Sequence, residues 1–173
     1  SSSAAFETLI GTILSGLYNN MSVSAIEIAI IGQYAENVYF GKPCGLMDQM
    51  ACSVGGLINI DFADPKEPVM KKVEVEFEAY EHSLCIVDTK GSHADLTDEY
   101  AAVPYEMKAV AEKLGKEVLR QVDKKEFFQA IPALRKELGD RPVLRALHFM
   151  EENERVGKQV EALRDGKFQE FLQ

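Results

Sequence analysis

In the first forty residues only Glu7, Glu27 and Glu36 carry a formal charge. A stretch so apolar has to bury much of its surface, since apolar area left in water costs roughly 25 cal/mol per Å² relative to burial. Its periodicity says how. Phe6, Leu9, Ile10, Ile13, Leu14 and Leu17 recur at three- and four-residue steps, which predicts an amphipathic helix over residues 4–17. The serines ahead of it are good N-caps, because a hydroxyl accepts from the unpaired amides of a first turn. Residues 24–38 read as a second helix, nearly apolar on several sides. Gly41-Lys42-Pro43 ends it, and residues 46–52 form a short third helix. These forty residues are expected to be largely buried.

Gly55-Gly56 then hands over to a β pattern. Residues 57–62 are strand-like. Residues 69–77 alternate through Val73, Val75 and Phe77 against Lys72, Glu74 and Glu76, and residues 83–89 look like a short buried strand. Beyond them the pattern turns helical over residues 96–114, 124–138 and 143–163. Pro142 is allowed in a first turn, and Gly115, Gly139 and Gly166 stand where C-terminal caps belong. The expected class is α+β, with helices packed on a mixed or antiparallel sheet and a helical part following it. Thr89-Lys90-Gly91-Ser92 suggests a domain boundary, giving parts 1–90 and 91–173.

Charge and cysteine content exclude several classes. The net charge is -9, from 19 Lys+Arg against 28 Asp+Glu, with no basic stripe. Neither nucleic acid nor an anionic membrane surface is an expected partner. No apolar run reaches the ~20 residues of a membrane span, and no cationic segment leads into a hydrophobic signal core. Cys44, Cys52 and Cys85 are odd in number and lack C-x-x-C spacing, so a reducing cytoplasm is the simplest location. His82 and Cys85, three apart with no further ligand partners, read as structural. The chain starts at Ser1 without a Met and stops at Gln173 inside a helical pattern, so a piece of a larger protein is expected.

Three places can carry chemistry. The opening Ser1-Ser2-Ser3 runs into a helix, whose free amides and dipole suit a phosphate, and hydroxyls there can reach a phosphate-bound Mg²⁺. Plain capping serines or a cloning remnant are the alternatives. Asp48 sits among Leu46, Met47, Met50 and Ala51 after a Gly/Pro turn. A carboxylate in apolar company is either paired or functional, and it can accept a proton from a sugar hydroxyl. Glu36 is a lone charge near a helix end, either solvent-facing or a Mg²⁺ ligand.

Together these strings resemble the galactokinases of the GHMP kinase family. SSSAAFE is similar to the end of that family's phosphate loop, P-x-x-x-G-L-S-S-S-A. GKPCGLMDQMACSVGG is similar to G-x-P-C-G-I-M-D-Q, the most specific of the matches. VDTKGSHADLTDEYA resembles the V-x-D-T strand that leads to a sugar-contacting Tyr. With RALHFMEENERV later, the resemblance covers nearly the whole chain. It implies a partial GHMP kinase fold, with 1–90 as the later part of the N-terminal domain and 91–173 as the helical start of the C-terminal domain. It implies ATP and Mg²⁺ as cofactors, with Ser1, Ser2 and Ser3 at the phosphates and Ser3 with Glu36 on the Mg²⁺. Asp48 would face the C1 hydroxyl as base or positioning anion, Gly45 would let backbone approach the sugar, and Tyr100 would bond a ring hydroxyl.

The implied activity is phosphorylation of galactose to galactose 1-phosphate. The family's N-terminal Arg and much of its sugar grip would lie upstream of Ser1, so the chain alone is expected to be inactive and prone to self-association through uncovered apolar surface. One departure stands out. Ala101-Ala102-Val103-Pro104 follows Tyr100 where galactokinases commonly carry an N-x-R-R-like stretch. That keeps open a kinase for N-acetylgalactosamine or arabinose. A sugar sensor that binds without turnover is a third reading.

Overall fold

The computed structural model describes residues 2–64, 67–88, 90 and 96–173. Seven α-helices and a two-stranded sheet are formed among them: α1 (Ser2–Tyr18), α2 (Ala25–Tyr34), α3 (Met47–Val54), β1 (Ile58–Asp61), β2 (Val69–Lys72), α4 (Thr97–Lys113), α5 (Lys124–Leu138), α6 (Asp140–Arg164) and α7 (Phe168–Phe171). β1 and β2 pair as an antiparallel hairpin. The expected α+β class is therefore present, with helix far outweighing sheet. The chain divides into two compact units, residues 1–60 with 70–74 and residues 61–69 with 75–173. The boundary expected at residues 89–92 falls, apart from Lys90, on residues outside the described set.

In the first unit α1, α2 and α3 pack on one another. Two glycines permit that closeness. A Cβ on Gly11 would stand 2.9 Å from Ile28 Cγ2, and one on Gly32 would stand 3.3 Å from Glu7 Cβ. α2 starts in a reciprocal cap: Ser24 Oγ accepts from Glu27 N, and Glu27 Oε2 accepts from Ser24 N at 2.8 Å. Ser53 Oγ donates to Ala25 O at 2.7 Å and pins α3 to that same helix start. Thr8 and Thr12 donate to carbonyls four residues back, which settles their hydroxyls inside the helix.

The helical register is as expected, but the burial is not. Leu9, Ile13, Leu14 and Leu17 of α1 and Ile31 of α2 are exposed, while Ala4, Thr8 and Ser15 are the buried positions of α1. The small side chains of α1 face its neighbours because close helix packing admits only small groups there, and no other described element covers the large ones.

The sheet is also smaller than the pattern suggests. β2 stops at Lys72, after which Val73 N still donates to Leu57 O at 2.9 Å and the Val73 side chain is buried. The alternation fails at Phe77, which opens a 3₁₀ turn (Phe77–Tyr80) and packs its ring edge-on to Phe168 at 5.9 Å. Tyr80 stacks on Phe168 at 4.2 Å and His82 meets the same ring at 4.9 Å, the structural role expected of His82. Residues 82–88 form no strand among the described residues, and Leu84, Ile86 and Val87 are exposed. An isolated run of β-formers has no ladder to join, and strands are stable only when paired.

The second unit closes around Val110, Leu119, Val122, Phe127, Leu134, Val143 and Met150. Asp123 caps α5 by accepting from Lys125 N and Glu126 N. Gly139, at φ 85°, makes the sharp turn into α6 that a residue with a Cβ resists. Glu106 is buried between Arg141 and Arg145, with Arg145 Nη1 at 2.9 Å from its Oε2. No helix among the described residues is long and apolar enough to cross a membrane.

Candidate active site

α1 begins at Ser2, so Ser2 and Ser3 form its first turn, with Ser2 exposed and Ser3 half-buried. Ser1 lies outside the described residues. Glu36 comes from a π-helical turn (Ala35–Tyr39) that prolongs α2, a widened turn of the kind that often marks functional sites. The turn carries Glu36 inward, and it is only 5% exposed. A buried carboxylate needs partners, and Glu36 divides its two oxygens between two sets of them. Oε1 accepts from Ser3 Oγ at 3.2 Å and from Lys42 Nζ at 2.7 Å. Oε2 accepts from Gln49 Nε2 at 3.1 Å and from Cys44 Sγ at 3.6 Å.

Gln49 is fully buried at the centre of this cluster. Its Nε2 also donates to Glu7 Oε2 at 3.2 Å and approaches Cys44 Sγ at 3.7 Å. An amide nitrogen carries two hydrogens, so these acceptors share them. Its Oε1 is buried with no hydrogen-bond partner among the described residues. The Lys42 hydrogen bond holds the Glu36 carboxyl below its ordinary value and outweighs the burial that would raise it. The same bond pushes Lys42 up, and burial pushes the Cys44 thiol up.

The loop before α3 is fixed by its backbone. Cys44 N donates to Asn37 Oδ1 at 2.8 Å, and Cys44 O accepts from Gln33 Nε2 at 3.2 Å and Asn37 Nδ2 at 3.3 Å. Gly41 turns the chain at φ 65°. Gly45 follows on the exposed side, where an added Cβ would meet no atom of this chain within 4 Å. Asp48 is the second residue of α3 and is exposed. Tyr100 lies on α4 in the second unit and is 55% exposed.

Of the residues expected to act together, Ser3 and Glu36 are brought into contact across 33 positions of sequence. Glu36 is buried, which removes the solvent-facing alternative. No group of three or more His, Cys, Asp or Glu among the described residues has metal-binding geometry. The Ser3–Glu36 pair is a smaller set of hard oxygen donors. It suits Mg²⁺, which binds one or two carboxylates and takes its remaining ligands from water and phosphate. Sequence reading missed Lys42 and Gln49 as partners of Glu36, and Gln33 and Asn37 as clamps on the loop. Their signal was present in outline: Gln33, Glu36 and Asn37 are polar residues at three- and four-residue spacing near the end of a largely apolar helix.

Residues 1–56 match the family described as GHMP kinases N terminal domain. The chain is 34% identical over 169 residues to a galactokinase of Thermotoga petrophila, covering 98% of this chain and 45% of that protein. It is 32% identical over 171 residues to a galactokinase of Glaesserella parasuis serovar 5, covering 99% and 43%. It is 33% identical over 163 residues to a galactokinase of Actinobacillus pleuropneumoniae serotype 3, covering 94% and 41%. The chain thus spans less than half the length of these relatives. Its opening segment is thus similar to GHMP kinase N-terminal domains, and along nearly its whole length the chain is similar to galactokinases.

Proposed function

We propose that this chain is part of an ATP-dependent, cytoplasmic sugar kinase that converts galactose to galactose 1-phosphate. The observation that carries the reading is the meeting of Ser3 Oγ and Glu36 Oε1 at 3.2 Å, beside the first turn of α1. That turn offers unpaired amides and the positive end of a helix dipole to phosphate oxygens, with Ser1, Ser2 and Ser3 as the added hydroxyls. Ser3 and Glu36 would hold Mg²⁺, which supplies charge neutralisation on the phosphates.

Asp48 is the sugar-facing carboxylate in this proposal. At the exposed start of α3 it can accept the proton of a C1 hydroxyl or orient that hydroxyl by a hydrogen bond. Gly45 lets the sugar lie against backbone, and the open space in front of it supports that role. Tyr100 contributes a hydroxyl to the sugar ring. The chemistry asked of the protein is mainly positioning and electrostatics, which one metal, one helix terminus and one carboxylate can provide. The chain alone is proposed to be inactive, and its exposed apolar side chains on α1 favour self-association.

ADP release with Mg²⁺ and ATP across a panel of sugars, by the complete protein in which these residues occur, tests the reading. Release stimulated most by galactose is expected, with Asp48→Asn lowering kcat by about 10²- to 10⁴-fold. Preference for N-acetylgalactosamine or arabinose would correct the sugar and keep the mechanism, and Ala101-Ala102-Val103-Pro104 after Tyr100 is the feature that favours that outcome. Sugar binding without ADP release would overturn the kinase reading in favour of a sensor.

A further inference from the structure

We propose that Lys42 is a tethered counter-cation that holds the metal-facing oxygen of Glu36 and has to leave it when a divalent metal binds. The inference rests on the reading of Glu36 and Ser3 as metal ligands. Glu36 Oε2 is committed to Gln49 Nε2 at 3.1 Å and Cys44 Sγ at 3.6 Å. Gln49 is fully buried on α3, so this side of the carboxylate is fixed by the core. Only Oε1 faces groups that can yield. Of its two partners among the described residues, Ser3 Oγ is neutral and compatible with a metal, whereas Lys42 Nζ at 2.7 Å is a full positive charge.

An ammonium and a divalent cation on one oxygen of a single carboxylate repel each other, so the two are alternatives. Lys42 is built to leave. Its side chain is 61% exposed on a flexible four-carbon stem, and it stands in the turn next to Gly41. Until a metal arrives, the ammonium neutralises a buried carboxylate whose charge would otherwise be costly. The consequence is an exchange: metal affinity at Glu36 is set against the Lys42 ion pair, and the Glu36 carboxylate faces a cation in both states.

The test is Mn²⁺ binding followed by electron paramagnetic resonance in the presence of ATP, on the unaltered protein and on Lys42→Met, Lys42→Arg, Glu36→Gln and the Lys42→Met/Glu36→Gln double variant. Lys42→Met should bind Mn²⁺ about threefold tighter, the scale of a half-exposed ion pair. Lys42→Arg should show no such gain, and the gain should vanish when Glu36 is Gln. Acylation of the Lys42 amine, read by mass spectrometry, should speed up as Mn²⁺ is added. Binding by Lys42→Met that is unchanged or weaker, while Glu36→Gln still impairs binding, overturns the exchange and leaves Glu36 a metal ligand. Binding that ignores Glu36 in every background removes the metal reading itself, and the exchange with it.

Discussion

The two units differ in how much polar surface they bury. In the second, the apolar positions of α4, α5 and α6 close on one another around Phe127, and most of the polar ones face outward. In the first, Gln49 is fully buried and Glu36, Thr8 and Ser15 nearly so, while Leu17 is 70% exposed and Leu9, Ile13 and Leu14 stand open as well. A conventional core explains the second unit. The first is organised about a polar cluster, and buried polar groups are kept only where hydrogen bonds or a task hold them. The contrast is between two ways of filling an interior: Phe127 fills space, and Gln49 holds the buried Glu36 carboxylate by a hydrogen bond.

Substitutions can break or sharpen this contrast. The largest effect is expected at Phe127. Phe127→Ala empties the centre of the second unit and should lower stability by about 3–5 kcal/mol in a urea titration. A loss under about 1 kcal/mol would mean that the second unit has no tight core. Next comes Gln49→Ala, which leaves the Glu7 and Glu36 carboxylates without their shared donor and should cost about 1–3 kcal/mol.

The polar centre should also respond to acid. Folding holds the Glu36 carboxyl below its ordinary value, chiefly through the Lys42 hydrogen bond. A depressed carboxylate contributes stability that is present above its unfolded value and is lost as pH falls through the folded one. The urea midpoint of the unaltered protein should therefore exceed that of Glu36→Gln at neutral pH, with the gap shrinking in acid. A gap that widened in acid would reverse the assigned role of the charge. The smallest effect belongs to α1: Leu17→Ser should change stability within about 0.5 kcal/mol despite its apolar periodicity.

That last case shows what sequence reading captured and what it could not. Three- and four-residue spacing gave the helices of the first unit nearly to their ends, because the spacing reflects the backbone period itself. It did not say which face is covered. Gly11 and Gly32, together with the small residues of α1, settle that by allowing close approach on one side only. Residues 83–89 have strand composition, yet pairing depends on a neighbour that no local pattern encodes. Ser3 and Glu36 were named as partners through family resemblance, and their contact is direct. Lys42 looked like a turn residue beside Gly41 and Pro43, since its link to Glu36 exists only once the loop folds back.

The most direct test of the polar cluster as a phosphate-side site is the Mg²⁺ dependence of ADP release in the complete protein carrying Glu36→Gln. Half-maximal rate should shift to about tenfold or more higher Mg²⁺, the scale on which groups that place a bound metal act. An active variant with an unchanged Mg²⁺ curve would contradict it and make Glu36 a buried structural carboxylate.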